Sequence, residues 1–132
     1  MSASGSEEPA RLPRLHLVTN DAIVARRDFL TRAATLAEAG GADLAFHLRA
    51  PAAPGGEVWG VARELAGIVR RAGGWFIVND RLDVALAADA DGVQLGHRSL
   101  APADLPHVAR RLKVGASVHG PGEAEAVGAV DW

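Results

Sequence analysis

A chain of 132 residues, 48% hydrophobic and 23% charged with a formal charge of −2, has the profile of one globular domain or a piece of one. The balanced charge and a pI near 6.2 give no electrostatic footprint for nucleic acid or a membrane surface, and no apolar run approaches the ~18 residues of a membrane span. With no cysteine, disulfide frameworks and thiolate chemistry are excluded, and the cytoplasm is the expected compartment.

Residues 1–13, MSASGSEEPARLP, lack the apolar core of a signal peptide and carry acidic residues, which predicts a flexible tail ahead of a single unit over 14–132. RLHLVTN, residues 14–20, reads as a strand. Asp28 then offers an N-cap to a helix whose apolar positions Phe29, Ala33, Leu36 and Ala37 follow helical spacing, until Gly40-Gly41 stops it. Leu44 to Arg49 reads as a second strand and residues 51–56 as a loop. Val58, Val61, Ala62, Leu65, Ile68, Val69 and Ala72 trace one helical stripe, ended by Gly73-Gly74.

Trp75 to Asn79 predicts a third strand, Arg81 to Ala88 a short helix and Gly92 to Leu95 a fourth strand. A helix over Leu105–Leu112 with Asp104 as its cap follows, then a fifth strand over Val114–Val118. Pro121 opens a last helix through Val127, where its missing N–H costs nothing. This alternation argues for a parallel α/β sheet. Gly41-Ala42-Asp43, Asp89-Ala90-Asp91 and Ala129-Val130-Asp131 repeat small or acidic residues just before a strand, and the third copy predicts that a sixth strand is begun near Trp132.

Side chains alternate along a strand, so one parity of each faces inward in a closed barrel. That parity selects His47 and Arg49, Asn79, Gln94, and Ser117 with His119, mostly near the carboxyl ends of strands, where a (β/α)8 barrel builds its site. Asp80 follows at a turn, either as a ligand or as a cap for the helix beginning at Arg81. His16, single and mid-strand without an obvious partner, reads as structural, and His97 and His107 as surface residues. An inward cation, Arg49, and an inward base, His119, at one rim are costly unless something anionic binds there.

The order and spacing of LHLVTN, AGGADLAFHLR, IVNDRLDVALAADADGVQLG, VGASVHGPGEAEAV and AVDW resemble the thiamine phosphate synthase/TenI superfamily over essentially all of 14–132. The resemblance implies a TIM barrel, here a partial one with about five βα units and the start of strand 6. It further implies a cytoplasmic enzyme of thiamine biosynthesis that handles a small-molecule thiazole phosphate, with no nucleic-acid or membrane partner and homo-oligomers allowed. On this reading the later strands, beyond residue 132, would carry the phosphate site, so the isolated chain is expected to be inactive and marginally stable or self-associating.

Two branches differ chemically. Synthases resembling this chain carry Gln-x-Arg-x-Lys on the second strand and an aspartate after Leu-Gly-Gln-x; here the residues are His47-Leu48-Arg49-Ala50-Pro51 and Leu95-Gly96-His97-Arg98-Ser99. The arginine is kept, the lysine is lost, and serine stands where the second carboxylate would be, leaving Asp80 as the one metal ligand if Mg2+ is used. These departures favour the tautomerase branch, which needs no cofactor and whose Ser-Val-His motif is present as Ser117-Val118-His119. There His119 would act as acid and base near neutrality, Arg49 would clamp the substrate carboxylate, and Asn79 and Gln94 would orient it, with His47 and Ser117 in the same pocket. The alternatives are thiamine phosphate synthesis with Mg2+ and non-catalytic binding of thiazole or thiamine phosphates.

Overall fold

The computed structural model describes residues 11–132, so the predicted tail lies outside them up to residue 10. Five strands, β1 (Leu15–Val18), β2 (Leu44–Leu48), β3 (Trp75–Asn79), β4 (Gly92–Leu95) and β5 (Lys113–Ala116), form one parallel sheet in the order β1-β2-β3-β4-β5. When every strand pairs in parallel with its successor, each right-handed crossover runs the same way and leaves its helix on the same face. The helices are α1 (Asp21–Val24), α2 (Phe29–Gly40), α3 (Gly55–Arg71), α4 (Leu82–Ala87) and α5 (Pro121–Val127).

Strand parity divides the residues between the two faces. Phe46, Leu48, Phe76, Val78, Val93 and Leu95 join Phe29, Ala33, Val58, Ala62, Leu65, Val69 and Val84 in one apolar core between sheet and helices. Their alternates, His47, Ile77, Asn79 and Gln94, occupy the opposite face. A singly wound parallel sheet with an outer apolar layer and a polar inner face is the wall of a (β/α)8 barrel, the fold class expected. The 17-residue α3 buries more residues than any other helix, its apolar stripe covering Val58, Ala62, Leu65, Ala66 and Val69. It ends at Arg71, and two residues on Gly73, with φ +85°, turns the chain into β3 with no Cβ to strain.

Several local expectations are corrected. The segment 105–112 is not an α-helix but holds one 3-10 turn, His107–Arg111, preceded by another over Pro102–Asp104, and Asp104 caps neither. Pro106 is the reason: a residue before proline is pushed from helical to extended backbone, and Leu105 has φ −63°, ψ 136°. Asp28 precedes α2 without a side-chain cap bond; its carboxylate is taken by Arg26 at 2.9 Å and Arg32 at 2.6 Å, which hold it well below the usual carboxylate range. Asn20, read as strand, instead accepts the Ile23 N–H at 2.9 Å and starts the unforeseen α1. β5 runs from 113 to 116, so Ser117 and Val118 lie just past it.

The repeated aspartates prove to be strand-starting devices. Asp91 donates its own N–H to the Phe76 carbonyl at 2.9 Å and accepts the Phe76 N–H with its carboxylate at 2.7 Å. Asp131 does the same to Val114, at 2.7 Å for both bonds. With the Ala116 N–H donating to the Trp132 carbonyl at 3.1 Å, residues 131–132 lie along β5 as the first rungs of a further pairing, although no strand is formed. Asp43 departs from the pattern and pairs with the Arg14 side chain at 3.2 Å.

Candidate functional site

The inner face and the carboxyl ends of the strands carry the polar groups. Arg49 follows β2, and its backbone is fixed from both sides by Thr19, a hydroxyl that is 3% exposed. Thr19 accepts the Arg49 N–H at 2.9 Å and donates to the Arg49 carbonyl at 3.0 Å. Nothing in strand periodicity singles out Thr19; its role follows from the β1–β2 register.

Asn79 ends β3, where its Oδ1 accepts from His47 Nδ1 at 2.9 Å. That bond places the His47 proton on Nδ1, so Nε2 accepts from His16 Nδ1 at 2.8 Å. His16, expected to have no partner, is therefore the outer member of a His16–His47–Asn79 chain. His47 is 3% exposed, and burial pushes its pKa down, outweighing the opposing Asn79 bond. His47 thus acts as the buried support that aims Asn79.

Asp80 adopts φ +65°, a conformation an aspartate tolerates better than most residues but still at a cost. Its N–H continues the ladder to the Gln94 carbonyl at 2.8 Å, while its carboxylate makes no cap bond to α4. The N-cap of α4 is Arg81 and no side chain caps it, so the capping role weighed for Asp80 is not the one it plays. Instead Asp80 Oδ1 accepts from the Ser99 hydroxyl at 2.7 Å, and Ser99 Oγ accepts the Gly96 N–H at 3.2 Å. Serine thus stands beside Asp80 at the position where the resemblance places a second carboxylate.

Arg49, Asn79, Asp80, Arg81 and Arg98 line one cleft of about 210 Å³, together with Pro51 and Val58. Arg81 is partly committed to Asp83 at 2.9 Å, whereas Arg49 and Arg98 make no ion pair among the described residues. Three guanidiniums around one carboxylate suit an anion with several oxygens, and arginine matches phosphate in a bidentate way. Arg98 is the cation that sequence reasoning missed, because a single arginine in a loop carries no periodic signal.

The remaining expected residues are placed elsewhere. Ser117 lines a second cleft of about 310 Å³ with Gly96, His97, Ser99 and Glu123, and the Ser99 hydroxyl that lines it is bonded to Asp80 of the arginine cleft. Gln94 is held from both sides: its Nε2 donates to Ser117 Oγ at 3.0 Å and its Oε1 accepts from Trp132 Nε1 at 2.6 Å. The Trp132 ring sits over the inner face near His16, His47 and Trp75, with centroids 5.9, 6.4 and 6.4 Å away. It occupies the space where a Cβ at Gly115 would stand. His119 lies outside the Arg49 cleft with a side chain 67% exposed, beside His97 and Glu123. The structure brings Arg49, Asn79 and Asp80 together and leaves His119 apart from them.

A carboxylate lining a cationic cleft, Asp80, with the Ser99 hydroxyl bonded to it, is an all-oxygen set that fits Mg2+, which is commonly held by one or two carboxylates and completed by substrate phosphates. No helix among the described residues is long and apolar enough to cross a membrane.

A family profile described as Thiamine monophosphate synthase matches residues 15–131. The thiamine-phosphate synthase of Solidesulfovibrio magneticus is 44% identical over 115 residues, covering 86% of this chain and 54% of that protein. That of Xanthobacter autotrophicus is 43% identical over 110 residues, covering 83% and 51%. Among solved structures, a thiamine phosphate pyrophosphorylase from Pyrococcus furiosus superposes with a TM-score of 0.65 at 35% identity, covering 88% of this chain and 57% of that one. The chain spans about half the length of the curated relatives it matches. The relatives are named as synthases, which favours the synthase alternative over the tautomerase branch preferred from sequence. With the profile matched from 15 to 131 on a one-sided parallel sheet, the chain belongs to the thiamine phosphate synthase/TenI family.

Proposed function

We propose that the Arg49–Asp80 cleft serves thiamine-phosphate synthesis, the coupling of a pyrimidine diphosphate with a thiazole phosphate. The observation that carries this reading is the cleft in which Arg49, Arg81 and Arg98 surround Asp80, whose carboxylate is bonded at 2.7 Å to the Ser99 hydroxyl behind it. The departing group is pyrophosphate, so negative charge grows on its oxygens as it leaves, and preorganised cations aimed there stabilise that charge without reorganising. Arg49, its backbone pinned by Thr19, and Arg98 supply the forks. Arg98 takes over a positive charge lost where Pro51 replaces the lysine of related synthases. Asn79, fixed by His47, orients a neighbouring acceptor or donor on the substrate. Mg2+, held by Asp80 and Ser99 when bound, would neutralise the leaving pyrophosphate.

The tautomerase reading draws support from Ser117-Val118-His119 in the sequence but from no contact between His119 and Arg49. Calorimetry with inorganic pyrophosphate and Mg2+ tests the cleft on the chain itself. We expect Arg49→Ala and Asp80→Asn each to weaken binding tenfold or more. Coupling is tested by joining residues 1–132 to the remaining half of the Solidesulfovibrio synthase. Thiamine phosphate formation that falls about 10²-fold in Asp80→Asn supports the proposal. Aromatisation of a carboxylated thiazole phosphate without coupling would replace it with the tautomerase.

A further inference from the structure

Outside the arginine cleft, three metal-ligating side chains converge where the synthase reading has no use for them. His97, in the loop after β4, places Nε2 3.1 Å from His119 Nδ1, in the loop after β5. The same His119 nitrogen lies 3.3 Å from Glu123 Oε2. The three ligand atoms all fall within 4.8 Å of one another. Two zinc ligands at about 2.0–2.2 Å in a tetrahedral arrangement lie about 3.3 Å apart, so two of the three separations already match. The third is closed by side-chain rotation, for which three exposed side chains have room.

We propose that His97, His119 and Glu123 form a site for one divalent transition-metal ion of the zinc class, with its remaining position open to the 310 Å³ cleft that His97 and Glu123 line. The Glu123 contact taken alone would be a helix-start interaction: Glu123 is the third residue of α5 and its Oε2 accepts the His119 N–H at 2.7 Å. That bond accounts for the glutamate but not for His97. The two imidazoles stack at 4.8 Å and 9° with nitrogens in contact, although they come from separate loops and have water available instead. The backbone bond also serves the metal: it fixes the carboxylate and, with both histidines nearby, holds Glu123 below its ordinary pKa, so it is ionised and ready to ligate.

Donor type separates this site from the Asp80 cleft. Two imidazoles and one carboxylate suit Zn2+, Co2+ or Ni2+, whereas the carboxylate and hydroxyl of Asp80 and Ser99 suit Mg2+. The proposal is independent of the synthase reading, since neither histidine lines the arginine cleft.

The test uses the untagged 132-residue chain, titrated with Zn2+ by calorimetry and with Co2+ by visible absorption. One equivalent of each should bind, with the intense absorption of tetrahedral Co2+. His97→Ala and Glu123→Gln should each weaken Zn2+ binding tenfold or more, while Asp80→Asn leaves it unchanged and Mg2+ fails to compete. Should His97→Ala lose its fold by circular dichroism, His97→Gln takes its place. No Zn2+ binding by the parent chain, or binding that survives unchanged in the folded His97 variant, would overturn the proposal.

Discussion

At the start of β4, Asp91 spends its carboxylate on the Phe76 N–H at 2.7 Å, whereas at the end of β3 Asp80 meets only the Ser99 hydroxyl among the described residues. Both aspartates flank neighbouring strands of one sheet. Asp91 completes a ladder: it replaces the carbonyl that Phe76, buried at 1% exposure, would otherwise lack. Asp80 lies in a left-handed conformation with its backbone already bonded, so its carboxylate retains free lone pairs among cations. Residue type therefore says little about role; what matters is whether the backbone nearby needs the oxygen.

This contrast can be broken most severely at the strand start. Asp91→Ala leaves a buried N–H without an acceptor and should cost about 1–3 kcal/mol in urea unfolding. Asp80→Asn, which keeps an acceptor and tolerates the left-handed backbone, should change stability by no more than about 0.5 kcal/mol. Equal losses would erase the distinction between the two ends. A substitution at the partner sharpens it: Ser99→Asp restores a second carboxylate beside Asp80 and should tighten Mg2+ about tenfold in calorimetry, while the metal-free chain loses stability to like-charge repulsion.

The smallest effect expected is a pH dependence from the buried support of the site. Burial depresses the His47 pKa in the folded chain, so below about pH 6.5 the unfolded chain takes up the proton first. The stability tied to neutral His47 is complete above that value and is lost as pH falls through it. Urea unfolding from pH 8 to 5 should show that decline in the parent chain and a flatter one in His47→Gln. A decline of equal slope in both would assign it to other groups.

Much of this arrangement is legible in the sequence. Strands at Trp75–Asn79 and Gly92–Leu95 and the stripe of α3 show plainly because burial on one face imposes a period of 2 or 3.6 on the residues themselves. Arg49, Asn79 and Asp80 are found by the same logic, since each sits at or just past the carboxyl end of an alternating run. The period carries no information on what happens between runs. Pro106 overrides an apolar pattern over 105–112, the Arg98 and Ser99 contributions come from a loop, and the His16–His47 bond depends on which strands pair. The preference for a proton-transfer site rested on His119 and Arg49 being kept while Pro51 and Ser99 stand where related synthases carry a lysine and a second carboxylate. β5 ends at Ala116, two residues earlier than expected, so His119 stands three residues past the strand and outside the cleft.

The sequential strand order has a consequence for how the chain acquires its structure. No rung of the ladder joins residues further apart in sequence than Ala45 and Trp75 do. Loop closure costs only a logarithm of the intervening length, and each new strand finds its docking edge in the unit made just before it. A nascent chain can therefore lay down the wall from β1 onward as it emerges, each βα unit templating the next while the ribosome is still adding residues.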